Sequence, residues 1–126
     1  MELIEIMAII VVHWIADFVL QTDKQAKGKS SSMKYLLLHT YTYSMLWVVV
    51  LPIYAMYLGD NYLWWSGSKF IIITFMAHTV QDYYTSRLNT YLWNKGDVHN
   101  FFVSVGLDQV LHYGQLFATY YWLFKS

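Results

Sequence analysis

The sequence predicts an all-α protein, a four-helix antiparallel bundle of membrane-spanning segments. Three observations predict it. Hydrophobic residues make up 57% of the 126 residues and aromatic ones 20%, against 13% charged; a soluble domain averages about 45–50% apolar and about 25% charged. Four apolar stretches divide the chain, each about 20 residues, long enough for a hydrocarbon core of about 30 Å. One proline and six glycines leave room only for short connections.

The first span lies near Leu3–Gln21, the second near Tyr35–Leu58, the third near Lys69–Leu88 and the fourth near Phe101–Phe124. Together they make one integral membrane domain over residues 1–126. The first carries Glu2 and Glu5, with no basic n-region and no small-residue cleavage site, so a signal peptide is not expected. Asp23–Ser32 reads as a polar loop of Lys, Gly and Ser. Gly59-Asp60-Asn61 and Asn94-Lys95-Gly96-Asp97 read as turns. Pro52 would kink the second helix, which a membrane helix tolerates when neighbours re-satisfy the backbone.

Lys24, Lys27, Lys29 and Lys34 lie in or beside the first connection, and Arg87 and Lys95 near the third; the other side has only Lys69 and Lys125. By the positive-inside rule the first and third connections are cytoplasmic and both termini outside, as in a multi-pass protein of the bacterial inner membrane. Trp64, Trp65, Tyr121 and Trp122 fit an outer aromatic belt, Tyr91 and Trp93 an inner one. Eight basic and eight acidic residues cancel, which argues against a nucleic-acid partner. With no Cys, disulfides, thiolate zinc sites and cysteine nucleophiles are excluded.

The spans are polar where they should not be. The first carries His13 and Asp17, the second His39, the third His78 and Asp82, the fourth Asp108 and His112. A charged Asp at a helix centre costs about 2.5–3.5 kcal/mol on insertion scales, so something must compensate three of them. His13–Asp17, His78–Asp82 and Asp108–His112 are all spaced i, i+4, which sets each pair on one helix face in adjacent turns. All seven fall at similar depth, in the cytoplasmic half. Imidazole with carboxylate suits a divalent metal, zinc first. Seven donors exceed one tetrahedral ion, which allows a dinuclear centre. The competing reading is a buried His–Asp network acting as a proton relay or as interhelical glue, worth about 0.6 kcal/mol per bond. His99, beside Asp97, reads as an interfacial histidine. The order of His–Asp pair, basic connection and His-bearing helix recurs, suggesting two repeated helical hairpins.

His13-x-x-x-Asp17-Phe18-x-Leu20-Gln21, Lys24, the isolated His39, His78-x-x-x-Asp82 and Asp108-Gln109-x-x-His112 resemble a domain-of-unknown-function family of small bacterial and phage integral membrane proteins. The resemblance covers nearly the whole chain and implies no established activity. More loosely, the arrangement looks like small membrane proteins labelled metal-dependent hydrolases. Histidine boxes of desaturases, a G-x-S-x-G elbow, a Walker A loop and G-x-G-x-x-G are absent from the sequence.

Two functions from different classes are therefore expected. In the first, an intramembrane metal-dependent hydrolase acts on a lipid or lipid-linked phosphate or ester from the cytoplasmic leaflet. His13, Asp17, His78, Asp82, Asp108 and His112 ligate, and His39 is a seventh ligand or the general base. Gln21, Gln81, Gln109 and Lys24 support the ligands or meet substrate oxygens; interhelical hydrogen bonding is the plainer role for the glutamines. Lys24, Lys27, Lys29 and Arg87 could hold a lipid phosphate, or simply set topology. In the second, the protein is a non-enzymatic metal or proton carrier, a phage-type interaction factor, or a bundle held by a structural metal. A homo-oligomer is compatible with either.

Overall fold

The computed structural model describes residues 1–59 and 63–126. The first helix, α1, runs Leu3–Trp14 and continues as a π-helical turn, Ile15–Val19. Four more α-helices follow: α2 (Asp23–Gly28), α3 (Met33–Leu58), α4 (Leu63–Asn94) and α5 (Val98–Phe124). Among the described residues there is no strand. The all-helical class is as expected. By length and apolarity, one helix among the described residues, Met33–Leu58, qualifies as a membrane span. The others miss that standard for a physical reason: the first is short and broken by its π turn, and α4 and α5 carry the buried Asp and His residues.

Two local features correct the expected layout. The segment expected as a polar loop winds into α2, because Thr22 and Gln25 form a capping box. The Gln25 N–H donates to Thr22 Oγ1 at 3.2 Å and the Thr22 N–H to Gln25 Oε1 at 3.0 Å. Gly28 closes α2 where Tyr35 of α3 comes near; a Cβ there would lie 2.4 Å from the Tyr35 ring. Helix α4, which holds the third expected span, also outruns it, since its 32 residues reach about 48 Å at 1.5 Å per residue. Of the turn expected at Gly59-Asp60-Asn61, Gly59 closes α3 at φ 67°, and the other two residues lie outside the described ones. The second turn is as read: Gly96 has φ 78°, and Asp97 caps α5 by accepting from the Asn100 N–H at 3.2 Å. Helix α3 runs through Pro52.

α4 packs most extensively against α5 and α3, and the first helix lies across α3 and α5. At the end bearing the termini the interior is apolar: Ile9, Trp47, Leu51, Phe70, Leu116 and Tyr120 cluster there. Glu5, buried among them, accepts from Tyr54 at 3.0 Å, Tyr120 at 2.8 Å and Lys125 at 2.8 Å, all on Oε1. That staple ties the first helix to α3 and α5. Toward the other end the interior turns polar. His13, Asp17, His39, Thr40, His78, Asp82, Asp108 and His112 are buried, while Ile4, Val49, Ile53, Met56, Ile72, Met76, Phe102 and Val110 are exposed. Thr79 donates to Thr40 across α4 and α3 at 3.0 Å.

Candidate metal centre

Glu5, Ile9, His13 and Asp17 fall on one stripe of the first helix at four-residue spacing, and all four are buried. Asp17 lies inside the π turn, where the Leu20 N–H reaches back to the Ile15 carbonyl at 2.9 Å. Such turns widen a helix locally and recur at functional sites. This one presents the Asp17 carboxylate to the other helices. His39 comes from the second turn of α3. His78 and Asp82 come from the middle of α4, and Asp108 and His112 from the third and fourth turns of α5.

Four donors from three elements converge: Asp17 Oδ1, His39 Nε2, His78 Nε2 and Asp82 Oδ2. His39 Nε2 is 3.0 Å from Asp17 Oδ1 and 3.3 Å from Asp82 Oδ2. His78 Nε2 is 3.4 Å and 3.6 Å from the same two oxygens. The two imidazole nitrogens are 3.2 Å apart. A tetrahedral ion with bonds of about 2.0–2.1 Å needs donors about 3.3 Å apart. Five of the six edges of this tetrahedron, at 3.0–3.6 Å, fall within about 0.3 Å of that length, and the four residues offer donors within 4.8 Å of one another. A second group adjoins it: Asp82, Asp108 and His112 also offer donors within 4.8 Å of one another. His112 Nε2 is 3.1 Å from Asp82 Oδ1 and 3.3 Å from Asp108 Oδ1.

Of the seven expected donors, six fall in these two groups. His39, expected as a general base or seventh ligand, stands in the four-donor group. His13 is the one held apart. Its Nδ1 accepts from the Tyr43 hydroxyl at 2.9 Å, and its Nε2–H donates to Gln109 Oε1 at 2.9 Å. With both nitrogens engaged it orients its neighbours, 3.6 Å from Asp17 Oδ2. The pairs His13–Asp17 and His78–Asp82 share that 3.6 Å separation, yet only His78 joins a donor group, so the two hairpins differ in chemistry. Gln109 lies where expected, donating from Nε2 to Asp17 Oδ2 at 3.4 Å and Asp108 Oδ2 at 3.2 Å. Gln81 donates to the Leu111 carbonyl at 3.3 Å, an interhelical bond. Gln21 is half-buried, its Oε1 without a partner.

The lysine at the site is Lys29; Lys24 is exposed on α2. Lys29 Nζ lies 2.8 Å from Asp82 Oδ2. Burial opposes its charge, but the Asp82 and Asp17 carboxylates outweigh burial and hold its pKa above the ordinary lysine value. Its position follows from the capping box that folds α2 and turns residue 29 inward. Thr22-x-x-Gln25 is that signal in the sequence.

The fold and site thus define an all-helical bundle enclosing a buried His/Asp cluster fit for a metal ion. The chain belongs to the family described as "Protein of unknown function (DUF3307)", whose model matches residues 6–126. No curated protein matches it, and no solved structure does.

Proposed function

We propose that this is a multi-pass membrane protein whose buried His/Asp cluster binds a divalent metal, zinc or a similar ion, and hydrolyses a lipid or lipid-linked phosphate or ester from the cytoplasmic leaflet. The observation that carries the metal reading is the tetrahedron of Asp17 Oδ1, His39 Nε2, His78 Nε2 and Asp82 Oδ2, with five of its six edges at 3.0–3.6 Å. Two facing imidazole nitrogens and two carboxylate oxygens match the ligand preference of zinc, manganese or iron. An ion held by the cluster would lower the pKa of a water toward about 7, and so supply hydroxide at neutral pH, wherever the protein donors leave it an open position. His13 and Gln109 hold the carboxylates in place.

The membrane reading is supported by the inverted pattern of polarity. Large aliphatic and aromatic side chains cover the outside while charged and imidazole groups fill one half of the interior, the reverse of a water-soluble domain. Trp64, Trp65 and Trp122 are exposed toward one end and Tyr91 and Trp93 toward the other, as interfacial belts would be. An apolar cavity of about 450 Å³ lies between α1 and α3 at the end bearing the termini, walled by Glu5, Ile9, Trp47 and Leu51 and apart from the cluster. One observation favours a purely structural metal: four protein donors close a tetrahedral shell and leave no position for substrate.

The test purifies the protein from membranes and measures bound metal together with phosphate or fatty-acid release from lipid extracts. Wild type should carry metal and release product, and Asp17→Asn should lose both. Ser31→Cys and Ser126→Cys should label from opposite faces of the membrane. Recovery in the soluble fraction, or metal-free wild type after refilling with zinc or manganese, refutes the reading.

A further inference from the structure

We propose that the cluster is a two-ion centre, with Asp82 bridging a closed site and an open one, and that the open site of Asp82, Asp108 and His112 is where substrate meets metal. This rests on the metal-centre reading above and adds to it. The two oxygens of Asp82 face different groups. Oδ2 forms a corner of the four-donor tetrahedron, whereas Oδ1 lies 3.1 Å from His112 Nε2. A carboxylate divided in this way is the bridge of two-metal sites, whose ions stand about 3.5–4 Å apart.

The second group has the donor count of a reactive ion. Three protein ligands leave the fourth position for water or substrate; the first group, with four, is closed. One of the second group's three donor atoms also lacks a hydrogen bond. Asp108 is buried at 8% exposure, and its Oδ1 has no hydrogen bond, only an ion-pair contact at 3.3 Å with His112 Nε2, the donor with which it would share the ion. An unpaired buried carboxylate oxygen is costly unless a cation occupies the space it faces.

Gln109 couples the two sites. Its amide N–H₂ donates to Oδ2 of Asp17 and to Oδ2 of Asp108. This leaves Oδ1 of Asp17 facing the first group and Oδ1 of Asp108 facing the second. The amide oxygen is held by His13, so one glutamine between Asp108 and His112 orients a ligand for each ion. The D-Q-x-x-H spacing of α5 then sets, between the two ligands Asp108 and His112, the glutamine that clamps Asp108 and reaches across to Asp17.

Manganese is the probe, because two bridged Mn²⁺ ions give an exchange-coupled paramagnetic resonance spectrum and single ions do not. Metal-stripped full-length protein in detergent is titrated with Mn²⁺. Wild type should take up two ions per chain with a coupled spectrum. Asp108→Asn and His112→Gln, tested in parallel so that one misfolded variant does not decide the matter, should each take up one ion with an uncoupled spectrum. One ion per wild-type chain, or two in a folded Asp108→Asn protein, overturns the open site and leaves the four-donor centre standing. No uptake by folded wild type overturns both.

Discussion

Replacing Lys29 by Met tests the electrostatics of the cluster directly, because the two states of the site respond in opposite directions. The Lys29 ammonium lies 2.8 Å from Asp82 Oδ2, with side-chain exposures of 17% and 1%. This is a buried pair, and deleting one partner of such a pair costs about 3–5 kcal/mol because the other charge is left uncompensated. Lys29 keeps some access to water, which points to the lower end, about 3 kcal/mol. Methionine keeps most of the stem's apolar packing, so the loss reports the charge. In the metal-loaded protein the same oxygen binds an ion, and a cation beside it repels the ammonium. The substitution then costs little. By linkage the difference appears as metal affinity: a free-energy gap of about 3 kcal/mol corresponds to binding on the order of a hundredfold tighter in Lys29→Met. Thermal melts in detergent with and without zinc, and zinc titration against a chelator of known affinity, measure both arms. A Lys29→Met protein as stable as wild type without metal, or one that binds zinc more weakly, would refute the reasoning.

Gly28→Ala should destabilise by about 1–3 kcal/mol through overpacking, since the new Cβ would meet the Tyr35 ring at 2.4 Å; thermal midpoints of Gly28→Ala with and without Tyr35→Ala check it, the second change restoring stability. Glu5→Gln should cost about 1.5–3 kcal/mol by weakening three charge-assisted bonds from Tyr54, Tyr120 and Lys125. Its effect should be confined to the end bearing the termini, with ion stoichiometry unchanged.

The helices were legible because apolar run length and turn residues are local properties. Expected spans near 35–58 and 101–124 overlie α3 and α5 closely. The cluster was legible for a related reason: i, i+4 spacing of His and Asp within an apolar run fixes a shared face whatever the neighbours do. Two things were not. His13 and His78 have the same spacing to their aspartates, and periodicity cannot tell which imidazole already has both nitrogens occupied. Tyr43 and Gln109, from two other helices, settle that. Lys29 reaches Asp82 only because α2 folds, and a six-residue helix between Lys- and Ser-rich neighbours has no hydrophobic periodicity to reveal it. The capping residues Thr22 and Gln25 were the available sign. Glu5 was similarly readable, lying two four-residue steps from His13 on a stripe that proves buried.

The charge balance of the cluster separates a structural metal from a working centre. With the imidazoles neutral, as metal ligation requires, Asp17, Asp82 and Asp108 bring three negative charges to one interior and Lys29 brings one positive charge, so the ligand set carries a deficit of two. One divalent ion closes that deficit with Lys29 in place, and a protein that needed metal only to hold its helices would stop there. Under the two-ion proposal a second ion overfills the site. Two responses relieve the excess: Lys29 withdraws from Asp82, and an anion enters the open position on Asp108 and His112. The entering anion is then the phosphate or carboxylate oxygen of a substrate, drawn in by a charge that water-excluding walls leave poorly screened. The one-ion state attracts no anion and the two-ion state does. Inorganic phosphate should therefore bind to wild type loaded with two Mn²⁺ ions and not to His112→Gln loaded with one, which keeps all three carboxylates. Equal phosphate binding by the two would show that the second ion has no part in recognising substrate.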